Sequence, residues 1–172
     1  MTYETQSAAS VEAFRNIIEP ILLPAIGGGQ FLHLEAIDEP IAKNLDQLAG
    51  LDVLWVQGGA VYGIAVRIQP DQGWRTFTMR TGKPSGLNTE YAKRQHARRH
   101  GALAPRWTVH AYVSNGTLVA AAIATTDAIL DAIEKNEYRE KVNRQDGTRF
   151  VAVPWADLPA DQIAILPQGG LP

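Results

Sequence analysis

Apolar residues recur at helical spacing near the start of the chain, at Val11, Phe14, Ile17, Ile18 and Ile21, which is the one-sided stripe of an amphipathic helix. Ser10 precedes the stripe as a cap, and Glu12 falls in the first turn, where the helix dipole favours an acid. Pro20 and Pro24 are expected to bend or end this helix, with Gly27 to Gly29 as a flexible exit. The glycines do not make a phosphate loop, because no Gly-Lys-Ser or Gly-Lys-Thr follows them. The period then shortens to two. Phe31 to Ile37 alternate apolar and polar as a strand, and Asp38 to Ala49 read as a polar loop or short helix. Leu51 to Gln57 and Val61 to Gln69 flank Gly58-Gly59, which predicts a hairpin.

Trp74 to Arg80 reads as a further strand, followed by the turn-rich Lys83 to Asn88. A helix is expected from Thr89 to about His100, stopped by Gly101. Trp107 to Val113 and Thr117 to Ala124 form a second hairpin around Asn115-Gly116. Thr126 or Asp127 caps a helix running toward Arg139, Phe150 to Val153 is a short strand, and the proline-rich end is a surface tail. The order predicts an α/β fold in which helices flank a mixed central β-sheet. No repeat or linker divides it, so one domain is expected over residues 1–172, with a flexible N-terminal end and a Pro/Gly-rich C-terminal tail.

Composition adds exclusions. With 45% apolar and 20% charged residues the chain can bury a core, unlike a disordered segment. Zero cysteines exclude disulfides, thiolate metal sites and a cysteine nucleophile. The polar stretch from Met1 to Ser10 lacks a signal peptide's pattern, and Ile17 to Ile26 is too short to span a bilayer. A soluble cytoplasmic protein without membrane contact is expected. Charge is unevenly spread: residues 74–110 carry Arg75, Arg80, Lys83, Lys93, Arg94, Arg98, Arg99 and Arg106 against Glu90 alone, a balance of +7, leaving −9 elsewhere. Such a segment attracts polyanions, and Lys93, Arg94, Arg98 and Arg99 form adjacent stripes on the predicted helix.

The candidate chemistry lies in the first hairpin. Asp52 opens one strand, and Ala65, Arg67 and Gln69 share a face of the next by period-two geometry. This pattern resembles the restriction-endonuclease-like, or PD-(D/E)XK, superfamily over Ser10 to Val113. The resemblance implies an α-β-β-β-α-β core, with Asp52 in the place of the family aspartate and Arg67 in that of its lysine. Ala65 stands where the family has an acid, so an acid elsewhere, Glu19 or Glu35, would have to complete the site. The resemblance further implies Mg2+ or Mn2+ at Asp52, phosphoryl-charge stabilisation by Arg67, and orientation of substrate or water by Gln69. The stretches Arg75 to Arg80, Thr89 to Arg94 and Trp107 to Val113 also look like proteins of phages and mobile elements.

Structural readings stand beside these. Asp52 also suits a turn, Arg67 an ion pair with Asp52 or a neighbouring acid, and the basic helix a solvated face. His96 and His100 are four apart but lack a third ligand, and Trp74, Trp107, Tyr91 and Tyr112 suit core packing better than base stacking. Two functions therefore compete. One is a nucleic-acid-binding protein that cuts DNA with a divalent metal; the other is an inactive scaffold or protein-interaction module. DNA is the expected partner, with an acidic protein or a second copy in a homodimer as alternatives.

Overall fold

The computed structural model describes residues 11–37, 39–86 and 89–166. The expected Ser10 cap, the N-terminal end and the last six residues of the tail lie outside these. The first apolar stripe folds as one helical run, in which a π-helical turn at Phe14–Ile18 leads into α1 at Glu19–Ala25. The run passes through Pro20 and stops at Ala25, one residue after Pro24, so of the two prolines expected to bend or end it only the second lies at its end. Pro20 sits in the first positions of α1, directly after the widened turn, where the helical ladder asks least of its missing N–H. Pro24 falls in the last turn. Phe14, Ile18 and Leu22 are buried against the sheet.

That sheet has six strands in the order β1 (Gln30–His33), β2 (Val53–Gln57), β3 (Ala60–Pro70), β5 (Trp107–Ser114), β6 (Thr117–Thr125) and β9 (Ile163–Leu166). Neighbours are antiparallel except β3 and β5, which run parallel and make the sheet mixed. Both glycine-marked hairpins form as their turn chemistry predicts, β2–β3 and β5–β6. The chain crosses from β3 to β5 through β4 (Thr76–Gly82) and the basic helix α3 (Glu90–His100). Local signals fix α3 at both ends: Thr89 Oγ1 accepts the Ala92 N–H at 3.3 Å, and Gly101 closes it at φ +64°.

Alternation sorts the sheet's two faces. Val109, Ala111, Ala121 and Ile123 pack toward Phe14, Ile18 and Leu22. On the other face Tyr112, Ala120, Ala122 and Ala124 meet α4 (Thr126–Glu134), β4 and β8 (Arg149–Pro154). Here β4 leaves the main sheet for a second one, in the order β4, β8, β7 (Arg139–Val142).

Several boundaries correct the sequence reading. The strand expected over Phe31 to Ile37 stops at His33 and gives way to a 3-10 turn at Leu34–Ala36. The short helix over Asp38 to Ala49 resolves into α2 (Pro40–Asn44) and a π-helical turn at Leu45–Ala49. Thr125, not Thr126 or Asp127, caps α4 through Ala128 N–H, and Arg139 begins a strand instead of ending a helix. Ile163–Leu166, expected in the tail, is the sheet's edge strand. Among the described residues no helix is long and apolar enough to cross a membrane.

The triple glycine is an anchored turn. Trp55 Nε1 donates to the Gly28 carbonyl at 2.9 Å and Gln57 Nε2 to that of Gly27 at 2.7 Å. A Cβ on Gly29, whose φ is +108°, would lie 2.6 Å from the Val56 carbonyl oxygen, whereas one on Gly28 would meet nothing within 4 Å. Gly29→Ala is therefore expected to lose about 2–3 kcal/mol in urea unfolding, because it adds a backbone clash to an unfavourable φ. Gly28→Ala should lose only about 1 kcal/mol. Equal losses would show that the close approach does not matter.

Candidate functional site

Asp52 precedes β2, and its N–H donates to the Ile64 carbonyl at 3.0 Å, so it stands beside Ala65 at the start of the paired region. Across the parallel pair, Ala65, Arg67 and Gln69 register with Thr108, His110 and Tyr112. All six point to the face away from the first helix. There, β4 and α3 stand off the sheet and leave a cavity of about 720 Å3. Asp52, Ala65, Arg67 and Gln69 all line it, as their shared face predicts.

Two further carboxylates arrive by loop geometry. The 3-10 turn carries Glu35, and the Leu34 N–H donates to the Asp52 carbonyl at 3.0 Å, tying that turn to β2. Asp46 arrives through a left-handed glycine closure: Gly50, at φ +67°, donates to the Asp46 carbonyl at 2.9 Å, and Leu51 donates to that of Leu45 at 3.3 Å. Buried Leu51 packs with Leu45, which fixes the reversal between Asp46 and Asp52. One carboxylate oxygen from each of Glu35, Asp46 and Asp52 then lies within 4.8 Å of the other two. Glu19, the other acid considered for the site, is 3.0 Å from His33 Nε2 and does not line the cavity.

Asp52 keeps some surface toward the cavity but sits deep among protein atoms. Burial pushes its carboxyl up to about 7, opposed by the Val66 N–H that donates to Oδ2 at 2.5 Å, with Asp46 and Glu35 adding repulsion. Burial also raises Asp46, against the pull of Lys93. Three carboxylate oxygens this close, two of them on groups whose charge burial opposes, could hold a hard divalent cation such as Mg2+ or Mn2+. Bonds of about 2.1 Å would place opposed ligand oxygens about 4 Å apart.

The opposite wall is cationic. Glu90, first residue of α3, receives Arg67 Nη2 at 2.5 Å, Arg80 Nη2 at 2.9 Å and the Arg80 N–H at 3.2 Å. Arg67 also donates to Thr78 Oγ1 at 3.1 Å. Burial alone would raise the Glu90 carboxyl; Arg67, Arg94 and Arg80 override it and hold it down at about 2. The expectation that Arg67 pairs with a neighbouring acid is met, and that acid is Glu90. Arg94, one turn on, is only 7% exposed and lines the same cavity. Burial lowers its pKa, partly offset by Glu90 and Asp52 and reinforced by Arg67. His110 Nδ1 bonds the Thr76 carbonyl at 3.0 Å; burial, then Arg67, drive its pKa to about 3. It is therefore neutral at physiological pH, with Nδ1–H as the donor, since a carbonyl only accepts.

The seven basic residues expected to bind nucleic acid divide. Arg80, Lys83, Lys93 and Arg94 line the cavity. Arg75 is instead 3.0 Å from Asp71 and lies over the Tyr112 ring. Arg98 bonds Asp131 at 2.6 Å and stands 3.8 Å from Asp127 and Glu134, so α4 neutralises it. Arg99 is exposed outside the cavity. Arg94 corrects the picture of a uniformly solvated helix face, since packing of α3 beside β4 buries it. His96 and His100 are exposed with rings 4.5 Å apart, outside the acidic group. Of the aromatics, Tyr112 is buried with its hydroxyl donating to Thr76 at 2.8 Å, while Lys141 covers the exposed Trp74 ring.

Sequence reasoning missed Asp46 and the bracing role of Glu90. The signal for Asp46 was the Gly50-Leu51 pair after an apolar Leu45, the mark of a helix closure that returns the chain on itself. No family model matches this chain, and no curated protein or solved structure matches it significantly.

Proposed function

We propose that this chain is a DNA-binding phosphodiesterase of the restriction-endonuclease-like fold that uses a divalent cation held by Glu35, Asp46 and Asp52. The observation that carries the reading is the meeting of those three carboxylates with five cations, Arg67, Arg80, Lys83, Lys93 and Arg94, in one cavity. Against four carboxylates including Glu90, the five cations leave the cavity as a whole slightly positive, which suits a polyanion more than a neutral substrate. The succession of a helix, three antiparallel strands, a helix and a strand parallel to the third, with α2 and β4 as insertions, supports the core that the resemblance implies. Asp46 and Glu35 offer the acids that Ala65 does not.

When bound, the cation would supply Lewis-acid stabilisation of phosphoryl charge and a more acidic water. The chain's own residues orient and neutralise. Arg67, braced by Glu90 and Thr78, presents fixed positive charge, and Gln69 offers an amide on the same strand face. His110, neutral and bonded through Nδ1, is unsuited to general-base duty near pH 7. Lys83 and Lys93 extend the cationic wall and would hold the strand by its phosphates.

Mn2+ titration and nicking of plasmid DNA test the reading together. The wild type is expected to bind Mn2+ and to nick DNA only with Mg2+ or Mn2+, and Asp52→Asn and Asp46→Asn to lose both by at least about a hundredfold. Cleavage that persists in Asp52→Asn would overturn the metal assignment. Salt-sensitive DNA binding without cleavage in a folded, metal-loaded wild type would select the inactive scaffold, which the bracing of Arg67 by Glu90 favours as the second reading.

A further inference from the structure

We infer that Arg94 forms a phosphate-binding subsite that works without the metal and takes one phosphate oxyanion of the ligand; the inference rests on the phosphodiesterase reading and deepens it. An arginine only 7% exposed is expensive to bury unless its charge is paired. The ion pairs of this wall run from Glu90 to Arg67 and Arg80, and among the described residues no hydrogen bond or ion pair reaches Arg94. It nevertheless lines the cavity, at the junction of the two charged groups: both Asp52 and Glu90 act on it through space. Glu90 is already engaged by Arg67 Nη2, Arg80 Nη2 and Arg80 Nε at 2.5–3.1 Å. Asp52 is engaged by the Val66 N–H and placed among the acids. Among the described residues Arg94 therefore has no bonded partner, and an anion in the cavity it lines would supply one.

Phosphate fits that place better than a carboxylate. A guanidinium offers a planar fork of donors that matches two oxygens of a phosphate, and the remaining oxygens of a phosphate would face the acidic group and its cation. A carboxylate has no oxygen left for that second side. Arg67, whose Nη1 and Nη2 are committed to Thr78 and Glu90, contributes charge to this subsite more than free donors. The same chemistry is found in a strand's terminal phosphate and in its internal phosphodiester.

Thermal unfolding with inorganic phosphate in excess EDTA, against chloride at equal ionic strength, reads the subsite directly. Phosphate at ten times its dissociation constant should raise the wild-type Tm by about 3–6 °C. Arg94→Met should abolish that rise while leaving the phosphate-free Tm unchanged or higher, because it removes an unpaired buried charge. Arg15→Met, on the exposed side of the first helix, should keep the full rise. No rise in the wild type, or an equal rise in Arg94→Met, overturns the inference. Should Arg94→Met fail to fold, crystals of the wild type soaked with phosphate in EDTA decide it: density against Arg94 supports the subsite, and density only elsewhere overturns it. Competition by 5′-phosphorylated and 5′-hydroxyl oligothymidine separates the two sources, since a terminal site favours the first and a diester site treats both alike. Arg94-dependent phosphate binding without any metal-dependent cleavage would sink the phosphodiesterase reading alone. Unimpaired cleavage by Arg94→Met would sink the subsite alone.

Discussion

Glu90→Gln is expected to lower stability at pH 7 by about 3–5 kcal/mol, the usual result of removing one partner from a largely buried ion pair. Glu90 is the only carboxylate within ion-pair distance of Arg67 and Arg80 among the described residues, and it acts through space on Arg94. Its loss leaves three neighbouring guanidiniums to repel one another. The pH dependence checks the cause. Glu90 has its pKa lowered from 4.5 to about 2, so the folded state holds its proton less tightly than the unfolded chain does. Its stabilisation is complete above the unfolded pKa and is lost as pH falls through about 4.5 toward 2. The shift corresponds to about 3 kcal/mol, enough to account for most of the expected loss. Urea unfolding of both proteins at pH 7 and pH 2.5 should show a gap that shrinks sharply at the lower pH. A gap of the same size at both would mean that packing, not charge, ties α3 to β4.

The parts of this molecule that were legible beforehand are those written in short stretches of sequence. Gly58-Gly59 and Asn115-Gly116 mark hairpins because few residues tolerate the required backbone, and both hairpins formed. Period two put Ala65, Arg67 and Gln69 on one face, and they line one cavity. Thr89 and Gly101 bounded α3 for equally local reasons. What was not legible depends on partners far along the chain. Arg94 and Arg98 look alike within the basic stripe, yet packing beside β4 buries the first while α4 neutralises the second. β9 became a strand because β6 offers it a free edge, although its own four residues carry little signal. Asp46 joins Asp52 only because a glycine-closed turn folds the chain back on itself.

The acidic group makes the opposite demand to Glu90, and the sign of its pH effect is reversed. Asp52 has its pKa raised from 3.8 to about 7, so the folded state holds its proton more tightly than the unfolded chain. An acid shifted this way costs nothing below about pH 4, costs progressively more as pH rises toward 7, and exacts its full penalty above that. The shift corresponds to about 4 kcal/mol. Asp52→Asn removes the charge while its amide oxygen can still accept from the Val66 N–H, so the metal-free variant should exceed the wild type by about 2–4 kcal/mol at pH 8. At pH 4 the two should be nearly equal. Millimolar Mn2+ at pH 8 should then raise the wild-type Tm and leave Asp52→Asn unchanged, because a cation that binds only the folded state stabilises by mass action. If Asp52→Asn proves less stable at pH 8 without metal, the carboxylate is holding the hairpin together and the turn reading of Asp52 prevails. If it proves more stable there and blind to Mn2+, the chain carries at Asp52 a charge that its own fold opposes and that a bound cation would relieve.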